Sequence, residues 1–164
     1  DLFNSFGGDF DLVQSHASNL YWNIPGIEDN VFAILSDSKS GMVASLHSTM
    51  TQWRHLFSLE VFLERGSIVL NGLKTSSGTY GKERLSIAKN RSVAPAATWE
   101  EEVIFEYDTN SSWSIEIRKF LEMCEKGVGK VWPSHEALTV MKIIDKIYAD
   151  GIHQPPVERH NKLV

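Results

Sequence analysis

The sequence has only one cysteine, Cys124, so no internal disulfide can form. Its position on a helix-like apolar stripe predicts a small buried hydrophobe in a reducing compartment. No window approaches the roughly 18 to 20 uninterrupted apolar residues of a membrane-spanning helix, so no membrane contact is expected. Lys and Arg number 16 against a net charge of −5 and are spread singly. That leaves no basic stripe to neutralise phosphates, and nucleic acid binding is not expected. A glycine-rich phosphate loop is also missing. Gly7-Gly8 and Gly127-Val128-Gly129 are the close glycine pairs, and neither lies between a strand and a helix, so no nucleotide site is expected in this chain. The six histidines never fall at the i, i+4 helical spacing of a zinc motif, and one cysteine makes no thiolate cluster, so no metal is expected. Ser, His and Asp are present without a nucleophile elbow, which argues against a free-standing hydrolase. A basic leader is absent too, and the chain opens on Asp1 rather than Met. Leu2, Phe3 and Phe6 at helical spacing, stopping at Gly7-Gly8, read as the tail of a helix begun upstream. The chain is thus expected to be a piece of a longer cytoplasmic protein.

What is present is ordinary globular material: 42% apolar, 23% charged and 10% aromatic residues over 164 positions, expected to form one domain over 1–164. Residues 10–22 read as a strand that ends in the turn chemistry of Asn23-Ile24-Pro25-Gly26. The run 31–35, the turn-rich 36–41 and the alternating 42–54 predict a hairpin, with neither face of its second strand wholly apolar. A second hairpin is predicted from 57–64 into 67–70 through Arg65-Gly66, and further strands at 85–88 and 103–107, about seven in all. At Asn110-Ser111-Ser112 the period changes. Polar capping residues precede Trp113, Ile117, Phe120, Leu121 and Cys124 at steps of three or four, a helix ending at Gly127, and a second helix runs from Pro133-Ser134 through Tyr148. Strands first and helices last predict an α+β fold, a large open-faced, mostly antiparallel sheet with helices packed on one face. The other face is left for a neighbouring domain or subunit. The face bearing Phe57, Leu59, Val61 and Leu63 is expected to pair with its copy across a two-fold axis, or with a missing domain.

The densest candidate site is Thr49, Thr51, Gln52, Trp53, Arg54 and His55 at a strand end. Two hydroxyls, an amide, an indole, a guanidinium and an imidazole suit a sugar-like ligand, which needs paired donors and acceptors, an aromatic wall and a forked donor. The competing structural reading puts Trp53 in the core and Arg54 in a surface ion pair. Trp22, Trp99 and Trp132 are expected to be packing aromatics and His47 a structural histidine. The stretch 74–82 fits either a flap over a ligand or a solvated tip.

Several segments together resemble the glucose-fructose oxidoreductase, inositol dehydrogenase and MocA-type family. Asp1-Leu2-Phe3 before Gly7-Gly8 looks like the end of its G-x-H-x-x-D helix, with Asp1 as the aspartate. Glu28-Asp29-Asn30 is similar to its E-D-x-A-x strand start, and Gly41 to Thr49 resembles its G-x-x-x-x-L-x-x-S strand. Glu64-Arg65-Gly66-Ser67-Ile68 looks like its G-x-x-G-S-I hairpin, with Glu64 and Arg65 in place of more usual residues. Pro133-Ser134-His135-Glu136-Ala137-Leu138 through Tyr148 is similar to its closing helix. The resemblance implies a carboxy-terminal substrate-binding and oligomerisation domain of an NAD- or NADP-dependent dehydrogenase acting on sugars, cyclitols or nucleotide sugars. It implies an amino-terminal Rossmann domain, absent from this chain, that carries the cofactor, the lysine of an E-K-P motif and the Asp and His of D-x-G-x-H. No catalytic, cofactor or metal residue is therefore expected in the chain, which would be inactive alone. Gln52-Trp53-Arg54-His55 departs from the family's simple Ser-Trp ending and leaves the substrate open. The alternative is a non-catalytic binding or scaffold module that keeps the fold without the chemistry.

Overall fold

Alternation of apolar and polar residues becomes strand wherever turn chemistry brackets it. The structure is a computed structural model and describes residues 1–89, 101–126, 134–149 and 151–154. Trp99, Trp132, Pro133 and Gly127 lie outside these. The described elements are α1 (Leu2–Ser5), β1 (Leu12–Ser18), β2 (Asn30–Ser36), β3 (Val43–Thr49), β4 (Ser58–Leu63), β5 (Gly66–Asn71), β6 (Glu83–Lys89), β7 (Val103–Tyr107), α2 (Ser112–Lys126), α3 (Ser134–Tyr148) and β8 (Ile152–His153). The fold is α+β with mostly antiparallel strands, as the element order predicts. The strands form two four-stranded sheets, β3-β2-β1-β8 and β4-β5-β6-β7, where the sequence suggested one large sheet. The chain divides into two compact units, Asp1–Thr51 with Lys130–Val164, and Gln52–Gly129.

In the first unit, β1 and β2 pair antiparallel from Leu12↔Ser36 to Ser18↔Asn30, and β2 and β3 from Asn30↔Thr49 to Ser36↔Val43. The period-2 pattern sends Val31, Ala33 and Leu35 of β2 and Ala17 of β1 to one face, where Ile143 and Ile147 of α3 cover them. Phe10 completes this buried cluster, with Val13, Ala44 and Leu46 at its edge. Ser15 of β1 donates its hydroxyl to the Ile147 carbonyl at 2.7 Å, tying strand to helix. The opposite face stays open: Leu12, Phe32, Ile34 and Val43 are each about half exposed or more. β8 is two residues long and runs parallel to β1, pairing Ala17↔Ile152 and Ser18↔His153.

In the second unit, the two-residue turn Glu64-Arg65 joins β4 and β5, with Leu63 opposite Gly66. A Cβ on Gly66, whose φ is +157°, would lie 2.2 Å from the Ala88 carbonyl oxygen of β6, so only glycine lets the strands meet there. Registers β4–β5, β5–β6 and β6–β7 align two cross-strand apolar rows on one face, Val61–Ile68–Ile87–Val103 and Leu59–Leu70–Leu85–Phe105. None of these eight is in the buried class. The other face is mixed, carrying Phe62, Val69 and Ile104 as well as Arg84 and Glu106, which pair at 2.8 Å. Helix α2 starts where Asn110 accepts the Ser112 amide at 3.1 Å. It buries no residue, so Trp113, Ile117, Phe120 and Leu121 are exposed and Cys124, expected to be buried, is exposed as well. No described helix is long and apolar enough to cross a membrane.

Candidate functional site

The strand expected to run to residue 54 stops at Thr49 because a local hydroxyl competes for the next backbone group. The Thr51 amide donates to Thr49 Oγ1 at 3.1 Å, the two hydroxyls share a 2.8 Å hydrogen bond, and Thr49 Oγ1 also donates to the Asp29 carbonyl at 3.2 Å. Of the six candidate residues, the structure brings Thr49 and Thr51 into contact in the first unit. Gln52, Trp53, Arg54 and His55 open the second unit and lie in no helix or strand. Trp53 is 95% exposed, which excludes the core position of the competing reading. Arg54 is exposed and has no ion pair among the described residues. His55 meets Tyr80 with ring centroids 5.0 Å apart, tilted by 47°.

Beneath Thr49 lies a polar hub that residue types alone did not single out. Asp29 is 3% exposed, and its carboxylate accepts the amides of Leu20 at 3.0 Å, Tyr21 at 2.6 Å and Trp22 at 3.0 Å. Three convergent amides on one carboxylate fix the segment 19–26 as a compact loop. Asn19, fully buried, donates its side-chain amide to the Ile24 carbonyl, and its Oδ1 has no hydrogen-bond partner among the described residues. Asn23 adopts φ +54°, a conformation asparagine tolerates better than most residues. Trp22 donates Nε1 to the Met50 carbonyl at 3.0 Å, and the Met50 amide donates to the Asp29 carbonyl at 2.8 Å. The loop, the start of β2 and the end of β3 are therefore one hydrogen-bonded assembly. In the sequence, Asp29 stands in Glu28-Asp29-Asn30 and 23–26 carries turn chemistry, but nothing links the two or marks Asn19.

Polar and aromatic contacts recur elsewhere in each unit. On the open face of the first sheet, His16 stacks on His153 with centroids 4.4 Å apart, and His47 stacks on Phe32 at 4.1 Å. His47 Nε2 also lies 3.0 Å from Asn30 Oδ1, so it is a satisfied strand histidine. Glu28 accepts a hydrogen bond from the Tyr148 hydroxyl, which with burial raises that phenol to about 12. At the far end of the same sheet, Asp37 caps the β2–β3 turn. The Ser40 hydroxyl at 2.6 Å and the Lys39 amide at 2.9 Å hold its carboxyl down at about 2. The hydroxyls of Thr75, Ser77 and Thr79 form an exposed chain at 3.1 and 2.9 Å. Among the described residues no group of three or more His, Cys, Asp or Glu is placed to hold a metal ion. What residues 52–55 of the second unit can do chemically is donate and accept hydrogen bonds beside an exposed indole and guanidinium.

No family model, no curated protein and no solved structure matches the chain.

Proposed function

We propose that this chain is the substrate-binding and associating portion of an NAD- or NADP-dependent oxidoreductase of the glucose-fructose oxidoreductase, inositol dehydrogenase and MocA type. Its substrate is the hydroxyl or keto group of a sugar, cyclitol or nucleotide sugar, and its setting is the cytoplasm. The observation that carries the reading is Trp53, an indole 95% exposed, followed directly by exposed Arg54 and by His55 against Tyr80. An indole left in water suits the apolar C–H face of a ring, while the guanidinium fork suits a carboxylate or phosphate on it. Support also comes from where the family-like segments fall: Glu28-Asp29-Asn30 leads into β2, Gly41 to Thr49 spans β3, and the Gly66 that close strand approach demands sits in the β4–β5 hairpin.

In this reading the nucleotide-binding domain and the proton-transfer residues belong to another part of the protein. The residues here orient the substrate and contribute subunit contacts. Calorimetric titration of the isolated chain with NAD and with NADP tests the division of labour. No binding heat is expected with either. Micromolar binding would place nucleotide recognition inside this chain and refute the reading.

A further inference from the structure

On the first sheet, the side of β1, β2, β3 and β8 that points away from α3 carries no Asp, Glu, Lys or Arg. Its titratable groups are three imidazoles, His16, His47 and His153. With Phe32 they form a row across the four strands, since His16 stacks on His153, pairs opposite Phe32, and Phe32 stacks on His47. The two ends of the row differ. His47 is satisfied, with Nε2 3.0 Å from Asn30 Oδ1. His16 and His153 are exposed, their ring centroids 4.4 Å apart and their planes 10° from parallel, and neither ring has a hydrogen-bond partner among the described residues. We propose that His16 and His153 form a two-histidine site for a divalent transition-metal ion of the zinc class.

Neutral imidazole is the ligand that zinc, copper and nickel share, and it binds through a ring-nitrogen lone pair lying in the plane of the ring. Zinc–nitrogen bonds of about 2.0 to 2.1 Å at a tetrahedral angle set two coordinating nitrogens roughly 3.4 Å apart. The stacked rings stand on one side of the sheet with centres already 4.4 Å apart, so their outer edges need approach by only about 1 Å to share an ion. A tilt about χ2 supplies that, because this torsion is broad in histidine. The face holds no cation of its own to repel the ion, and Phe32, opposite His16, brings no competing donor. Two protein ligands leave the remaining coordination positions to water, which suits an exposed pair at the edge strand β8. The ion would fasten that strand, which is held to β1 by two residue pairs and by the Asn19 amide on the His153 carbonyl at 2.9 Å. No i, i+4 spacing announces the site, because its ligands are far apart in the sequence and meet through a parallel strand pair.

Nuclear magnetic resonance of the histidine ring signals during titration of the wild-type protein with zinc chloride tests this directly. The His16 and His153 signals are expected to shift together and saturate together, while those of His47 stay in place. Magnesium chloride, whose hard cation prefers oxygen ligands, is expected to shift none of them. Calorimetric titration with zinc gives the second readout, with circular dichroism as the control for folding. His16→Ala and His153→Ala are each expected to weaken zinc binding at least about tenfold, a loss that even an outer-shell partner can produce, and His47→Ala is expected to leave it unchanged. Zinc that shifts neither ring of the pair, or one without the other, would overturn the proposal, and this arm needs no variant to fold. Folded His16→Ala and His153→Ala proteins that bind zinc as the wild type does would overturn it as well, since the ion would then sit on other residues.

Discussion

Asp29 is where a single side chain organises the most backbone. Its carboxylate holds three amides at one end of the first sheet, and Asp29→Ala should leave them without their acceptor at a cost of about 2 kcal/mol, read as a lower urea midpoint. An unchanged midpoint would mean that the loop is held by something else. Asp37 makes a different prediction. Its carboxyl is lowered to about 2 in the folded chain, first by the Ser40 hydroxyl. A depressed carboxyl contributes stability that is present above the unfolded value of about 4 and fades as pH falls toward 2. Acid titration of wild type against Asp37→Asn should therefore converge across that window, and parallel curves would contradict it. Tyr148 has the opposite sign, since its raised phenol contributes stability below about 10 that is lost as pH rises toward 12. At this scale the sequence was only partly legible. The three-amide cradle of Asp29 depends on a loop conformation that no spacing of residues encodes, whereas the turn chemistry of 23–26 is visible in residue type.

The helices differ in what they bury, and that separates two substitutions of similar chemistry. Ile147 in α3 is 6% exposed against β1, and Ile147→Ala should cost about 3 kcal/mol in chemical unfolding. Ile117 in α2 is 56% exposed, and Ile117→Ala should change stability by less than about 0.5 kcal/mol. Equal costs would mean that α2 is packed. Most elements were legible because their signals were local: β7 occupies the expected 103–107, and α3 runs through Tyr148 as its period predicts. The misses have physical causes. β8 is two residues long and exists through parallel pairing with β1, which leaves no period to read. β3 ends early because Thr49 and Thr51 bond to each other. Cys124 lies on an apolar stripe as expected and is exposed because α2 buries nothing.

At the scale of the whole molecule, period-2 alternation gave the antiparallel character but not the number of sheets, since strand pairing beyond a hairpin is decided by contacts distant in sequence. The first unit has one face covered by α3 and the other open; the second presents a face of two apolar rows. Proteins rarely leave such surfaces bare, and in the proposed reading they are where copies and neighbouring domains attach. The proposed role in substrate binding belongs to this scale too, because it requires this chain to act with a cofactor carried elsewhere. The most direct test is steady-state kinetics of the protein that joins this chain to its nucleotide-binding domain, followed by NAD(P)H absorbance against sugars, cyclitols and nucleotide sugars, with and without Arg54→Ala. The account predicts turnover whose KM rises about tenfold, roughly 1.4 kcal/mol of lost binding, while kcat changes little. An unchanged KM would remove Arg54 from the site, and no NAD(P)-linked turnover on any of these substrates would contradict the oxidoreductase reading in favour of a scaffold that kept the fold without the chemistry.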